Sequence, residues 1–480
     1  MPRTGSSVPS SGVAGSGVAG SVARARLPRL PLDLNKLPDR LAEVVARTDG
    51  IAISRRVPVR MAVIADPGLA RALLTRPDGV TQGRGIAALR LTLGQGLLTS
   101  RGELHRRQRR LVQPAFHPGQ LRRYAADAVT AARARSAQWS QRAAQAGPVD
   151  LAEEMSSLTL DIVGRTLFGS DLSGASDEIS QAQGDLLKLF PRLVRPGGML
   201  AGSWPTPIRH RLRGSVGRLD AVVHRIIDSR IAQAEHAAAP EHHDVLSILL
   251  AARDEETGAP MPRQQLRDEV LTLLLAGHET TAVALTWAWF ELSRHPQVRE
   301  WLAEEVGSAS AADLLDDAAW ERLTRTRAVL AETLRLHPPA YLMGRFTTAD
   351  VPLGSWTVPR STACLISPYA LHRDPRSWGP DVLQWRPDRW ITADGDYDES
   401  APGQPRGAYL PFGAVSRMCI GAAFASMEAT LVLAVLSREW LAEVPAGYDP
   451  GLQPSVTLRT RRGLPAVLRP APKPATREAV

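Results

Sequence analysis

Cysteine is nearly missing from this 480-residue chain: Cys364 and Cys419 are the only two. Two thiols cannot build a disulfide framework, and a reducing compartment is the natural setting. The thirty residues after Cys419 hold neither a histidine nor another cysteine, so a zinc site does not fit there. Lysine is almost as scarce. It occurs at Lys36, Lys188 and Lys473, so 55 of the 58 basic residues are arginine. These arginines are spread along the chain with no basic tail, and the net charge of +9 lacks the concentrated patch of a nucleic-acid protein. An acidic protein partner is compatible with such a charge. No run approaches the roughly 18 apolar residues of a spanning helix, so no membrane anchor is expected. Residues 1–25 are rich in Gly, Ser, Ala and Val, and the small polar residues break any secretory core. They read as part of a disordered leader over 1–27, matched by a flexible tail over 471–480. A soluble, cytoplasmic protein is expected.

What is present supports a large core: 44% of residues are hydrophobic. Length alone allows several domains. No repeat or linker divides the chain, so one domain is expected over 28–470. Helical periodicity runs over 120–145, 150–168, 215–238, 263–294 and 325–336. In the third of these, Leu219, Val222, Val223, Ile226 and Ile227 recur at helical spacing. Residues 28–66 read as extended, with strands over 51–56 and 57–65. Short strands are expected near 345–366, and a β stretch over 455–468. The fold class is mainly α with a small β region.

The sharpest chemical signal is Pro411-Phe412-Gly413-Ala414-Val415-Ser416-Arg417-Met418-Cys419-Ile420-Gly421, followed at once by a helix-forming run over 422–436. A thiolate in a tight loop at a helix N-terminus is stabilised by backbone N–H groups and the positive dipole end. Such a sulfur is a metal ligand or a nucleophile. As a lone ligand it suits iron better than zinc. Taken alone, Cys419 reads as a small buried hydrophobe. A second signal is Ala276-Gly277-His278-Glu279-Thr280-Thr281, inside a helix whose 263–294 span would be roughly 48 Å long. A glycine and two threonines are costly in a helix interior. Thr280 can bond the carbonyl of Ala276 and open a polar notch. Alone, Glu279 and Thr280 read equally well as a kink with a surface carboxylate. His278 faces elsewhere, as a structural or solvent-contacting residue.

Together these segments resemble the cytochrome P450 family, with its Phe-Gly-x-Gly-x-Arg-x-Cys-x-Gly loop and its Gly-x-Asp/Glu-Thr-Thr helix motif. The resemblance implies a helical prism enclosing haem b, with Cys419 as the proximal iron ligand. It makes Arg417 a propionate partner and Phe412 a shield over the sulfur, with Gly413 and Gly421 completing the loop and Ala276 beside the cofactor. Thiolate donation favours O–O cleavage. By the same resemblance Thr280 and Glu279 are catalytic, relaying protons. One position departs: the family has Gly where this chain has Val415. A β-branched residue resists positive φ by about 1–2 kcal/mol, so the turn either differs or is strained.

Further segments follow the family. Glu332-Thr333-Leu334-Arg335 sets opposite charges at i and i+3, by default a weak surface bridge. The resemblance makes Glu332 and Arg335, with Arg389 from Trp385-Arg386-Pro387-Asp388-Arg389-Trp390, a buried network for folding and haem retention. His105 and Arg109 lie one helical turn apart, as two donors gripping a carboxylate would. The family pattern makes them propionate contacts, with Arg345 as another. Arg106, Arg107 and Arg110 point away, as a docking patch for an acidic electron donor or as a plain solvated face.

The implied activity is a haem-thiolate monooxygenase that inserts one atom of O₂ into a hydrophobic small molecule such as a terpenoid, fatty acid or polyketide. No flavin or iron–sulfur segment is present. Electrons from NADPH or NADH are therefore expected through a ferredoxin and its reductase. Substrate is expected against 80–98, 185–206, 339–343 and 452–460, with Phe190, Ala276, Leu342 and Met343 as lining residues. The 185–206 segment, with Pro196-Gly197-Gly198, could gate entry. Two other readings share the haem loop. A peroxide-driven hydroxylase would usually lack the acid–alcohol pair. A haem-binding sensor would need neither that pair nor a substrate cavity.

Overall fold

The computed structural model describes residues 33–472, apart from 55–59, 77, 144–146, 195–197, 199–205, 237–243, 255–257, 309–318, 401–403 and 406, together with residues 25–26. Pro196 and Gly197 of the expected gate, residues 473–480 of the tail and most of the leader lie outside the described residues. The helices of seven residues or more are α1 Leu37–Ala46, α2 Pro67–Thr75, α3 Arg84–Leu93, α4 Gly102–Val112, α5 Pro118–Ala143, α6 Leu151–Phe168, α7 Ser176–Leu193, α8 Pro207–His236, α9 Val245–Ala251, α10 Arg263–Arg294, α11 Pro296–Ser308, α12 Thr324–Leu336 and α13 Ala422–Glu439. The strands are β1 Ala25–Arg26, β2 Ile51–Ile53, β3 Arg60–Ile64, β4 Val80–Gln82, β5 Val149–Asp150, β6 Met343–Thr347, β7 Val351–Leu353, β8 Trp356–Val358, β9 Thr362–Ile366, β10 Trp440–Glu443, β11 Leu452–Pro454, β12 Leu458–Thr460 and β13 Pro465–Pro470.

α10 is the axis of the molecule. It runs between Pro262, its N-cap, and His295, its C-cap, with Pro296 opening the next helix. By length and apolar content it could cross a membrane, but its apolar window is 78% buried by its own neighbours. Helix α6 packs along it, capped by the Asp150 side chain accepting from Ala152 N–H and closed by Gly169 in the left-handed region (φ 52°). α12 and α13 cover other flanks of α10, and α5 lies on α13 and α6. In this core Trp139 meets Trp289 and Trp440 edge-on, with ring centroids 6.2 and 6.1 Å apart.

A second, smaller core lies under a six-stranded sheet in the order β1-β2-β3-β9-β6-β4. β3 pairs parallel with β9, and β6 pairs antiparallel with both β9 and β4. That register sets Arg345 opposite Gln82 on one side and Cys364 on the other. The expected extended reading of 28–66 is corrected in part, because α1 intervenes. Its buried Leu41, Val44 and Val45 recur at i, i+3 and i+4, a helical face hidden between short strands. The expected β stretch over 455–468 is two separate strands, β12 and β13, in different sheets.

Candidate active site

The cysteine loop ends where α13 begins. Cys419 N–H donates to the Phe412 carbonyl at 2.8 Å, and Ala425 N–H takes the Gly421 carbonyl at 2.8 Å as the helix starts. Gly413 sits at φ 75°, where only glycine is unstrained. A Cβ there would lie 3.7 Å from the Met343 sulfur. Val415 has φ 49°, so the turn keeps the left-handed geometry and the side chain carries the strain. The Cys419 thiol is accessible. Protein crowded around the sulfur strips away part of its hydration and pushes the thiol pKa up, even though one side stays open, while a Gly421 N–H and the Arg109 charge pull it down. This corrects the expectation of a preformed thiolate. The loop alone favours the thiol, and a cation at the sulfur is needed to remove its proton.

Around this loop stands a set of basic side chains with no anion among the described residues. Arg417 comes from the loop itself, Arg109 and His105 from α4, Arg345 from β6, and Arg101 from the residue before α4. Arg417 Nη2 donates to the Ser100 carbonyl at 2.9 Å, and Arg109 Nη1 to the Met418 carbonyl at 2.9 Å. Arg345 Nη1 donates to the Gly344 carbonyl at 3.0 Å. Among the described residues none of these side chains has a carboxylate partner. Burial, then Arg345, Arg101 and Arg109, lowers Arg417 to about 10. Burial, then Arg417 and Arg109, lowers His105 to about 4, so its ring is neutral. Such a cluster is self-repelling until a polyanion enters. Two propionates beside an accessible thiol meet that requirement, so the residues present fit haem b.

The acid and the alcohol of α10 occupy different flanks. Thr280 Oγ1 donates to the Ala276 carbonyl at 2.8 Å, and Ala276 is exposed in a helix otherwise mostly buried. These two residues, one turn apart, form the open stretch of the helix. Glu279 turns away from it and is buried. Its carboxylate accepts from Thr457 Oγ1 at 2.8 Å and Gln183 Nε2 at 2.9 Å, and Arg459 Nε lies 3.3 Å away. A cavity of about 10 Å³, the size of one water, lies among Glu279, Thr286, Arg459 and Thr460. His278 is fully buried, its Nδ1 against the Leu274 carbonyl at 3.2 Å, which settles its structural role. Sequence reading missed Gln183, Thr457 and Arg459, because partners from three separate elements leave no local pattern.

The structure brings Glu332, Arg335 and Arg389 together with no solvent at Glu332 or Arg335. Glu332 Oε1 accepts from Arg335 Nη2 at 2.8 Å and Arg389 Nε at 3.0 Å, and Oε2 from Trp390 Nε1 at 2.9 Å. Arg335 also donates to the carbonyls of His372 and Val382 at 2.9 and 2.7 Å. The Trp390 contact and the carbonyl contacts were not legible in the sequence. Of the expected docking patch, Arg106 pairs with Glu103 and Arg107 with Asp254 at 3.0 Å, and Arg110 is engaged as well. That favours the solvated-face reading. Leu342 and Met343 are half-buried beside the loop, with the Met343 sulfur against Gly413. Phe190 instead packs with Leu186 and Val194 in a cluster shared by α3, α7 and α8.

An accessible thiol in this loop, a cation cradle and a notched central helix define a haem-thiolate oxygenase. The cytochrome P450 family profile matches residues 35–461, and the chain belongs to that family. It is similar to a cyclooctatin synthase of Streptomyces melanosporofaciens, 41% identical over 72% of this chain and 73% of the relative. A cyclooctat-9-en-7-ol 5-monooxygenase of the same organism is 34% identical over 83% of this chain and 84% of its own. A pentalenene oxygenase of Streptomyces avermitilis is 32% identical over 82% and 84%. The chain is a monooxygenase acting on hydrophobic small molecules. It uses haem b and O₂, with reducing equivalents from NAD(P)H delivered through redox partners.

Proposed function

We propose that Cys419 ligates the haem iron and that Arg109, Arg345, Arg417 and His105 hold the propionates. The observation that carries this is the coincidence of an accessible thiol with half-buried arginines lacking any carboxylate partner among the described residues. When bound, the haem supplies dioxygen activation and oxygen insertion. The chain's own residues do the rest. Arg109 and Arg417, tied to the carbonyls of Met418 and Ser100, are oriented before the cofactor arrives. His105, kept neutral, offers one N–H rather than a fourth full charge. Thr280 Oγ1, its own proton given to the Ala276 carbonyl, offers an accepting oxygen on the open face, and Glu279 holds the proton path on the next flank. Leu342, Met343 and Ala276 exclude water from the substrate side, while Phe190 acts through the cover formed by α7.

We further propose a terpenoid substrate, a cyclic alkene or unsaturated alcohol, because two relatives are named for oxidising an -ene and an -en-ol. A ferredoxin and its reductase supply the electrons, in the cytoplasm. The test is a titration of the haem-loaded protein with cyclic terpenoids, fatty acids and macrolides, read by the spectral shift on displacement of iron-bound water. Terpenoids should shift the spectrum at micromolar concentration. A shift with fatty acids or macrolides alone overturns the substrate assignment.

A further inference from the structure

α7 and α8 lie side by side, and their seam carries matched charges every seventh residue. Glu178 meets Arg225 at 2.8 Å, and seven residues on, Asp185 meets Arg218 at 2.6 Å. Seven residues are close to two helical turns, so each step returns to the same seam. The next step breaks the pattern. Arg192 on α7 falls where its partner position on α8 is Arg211, and both line one cleft. Cation stands against cation. Lys188, one turn before Arg192, and His210, beside Arg211, add to the excess.

The cleft has a volume of about 720 Å³, with Leu189 and Gly214 in its wall. A Cβ at Gly214 would touch nothing within 4 Å, so the wall is bare there. Among the described residues Asp185 is the sole carboxylate in the lining, and Arg218 already holds it. The side chains of Lys188, Arg192, His210 and Arg211 have no hydrogen bond or ion pair among the described residues. Further along α8, Arg218, Arg225 and Arg230 each hold a carboxylate. Like charges facing across a seam are destabilising. An anion between them removes that penalty.

We propose that this cleft is a binding site for a small polyvalent oxyanion of the diphosphate class, bridging Arg192 and Arg211. Guanidinium forks take phosphoryl oxygens two at a time, and two forks from opposite walls suit two linked phosphoryl groups. The volume falls within the roughly 300–1,000 Å³ of small-ligand sites. The site is separate from the cysteine loop and makes no use of haem.

The experiment is calorimetric titration of the haem-loaded enzyme with inorganic pyrophosphate at low ionic strength, with haem in place so that the propionate-side arginines are engaged. One saturable site is expected, weakening as salt is added. The double variant R192S/R211S should lose at least tenfold in affinity, and R71S on α2 should lose none. R192E is the second test. It converts the third rung into a pair like the two before it, so it should raise the melting temperature and abolish pyrophosphate binding. Unsaturable heats, or equal binding by R192E and wild type, would overturn the assignment. So would pyrophosphate silence combined with loss of ferredoxin binding in R192E, which would make the cleft a protein dock.

Discussion

Val415 holds φ at 49° with 51% of its surface open to solvent. A left-handed β-branched residue costs about 1–2 kcal/mol, and an exposed one recovers little through packing. Val415→Gly should relieve that strain, offset in part by the greater freedom of glycine in the unfolded chain. The net expectation is about 0.5–1 kcal/mol of added stability, read as a higher melting temperature of the haem-loaded protein. At Glu279 the tethers matter more than the residue's neighbours in sequence. Arg459→Gln removes the cation 3.3 Å from the carboxylate, and Thr280→Ala removes the hydroxyl on the open face. Both should raise the share of electrons lost as hydrogen peroxide, with Arg459→Lys restoring the wild-type share. The measurement is peroxide released per NADPH consumed. An unchanged ratio in Thr280→Ala would remove the alcohol from the relay.

Among the elements, α10 and α12 carry the fully buried carboxylates Glu269 and Glu332. The Glu332 carboxylate ties α12 to Arg389 and Trp390, while Arg335 reaches on to Val382. Glu332→Ala leaves Arg335 buried without its counter-charge, which costs roughly 3–5 kcal/mol. Loss of haem retention and a lower unfolding midpoint in denaturant are the expected results. On α10, Glu269 is wholly buried and accepts from Leu97 N–H at 2.8 Å, while burial raises its carboxyl to about 7 against the pull of that bond. A carboxyl raised on folding favours the protonated native state. Its stabilising contribution is therefore full below the ordinary carboxylate range and is lost as pH rises through about 7. Glu269→Gln should flatten the fall in unfolding free energy between pH 5 and 8, a difference on the order of 2–3 kcal/mol. The same helix shows why sequence reading succeeded and where it ran out. The Thr280 bond to Ala276 is local, so spacing alone reveals it. The contacts from Glu269 to Leu97 and from Glu279 to Thr457 join segments more than a hundred residues apart, and no periodicity encodes them.

For the molecule as a whole, long periodic helices were legible because burial of one face dictates their spacing. α1 was not, being short and set between strands. The cysteine loop was legible as a pattern, yet its protonation was not, since the partial desolvation of the thiol depends on surrounding segments brought in by the fold. The net charge of +9 also acts at this scale. Steering of an acidic electron donor weakens as salt shortens the Debye length to about 3 Å at 1 M. Reduction of the enzyme by a ferredoxin should therefore slow as salt rises from low ionic strength, measured by stopped-flow absorbance. A rate indifferent to salt would remove charge from the encounter.

The most direct test of the whole account is the absorption spectrum of the reduced, carbon monoxide-bound haem protein. Ligation by Cys419 predicts the red-shifted band of a thiolate-bound haem in the wild type and its disappearance in Cys419→Ala. The same band persisting in Cys419→Ala would contradict it.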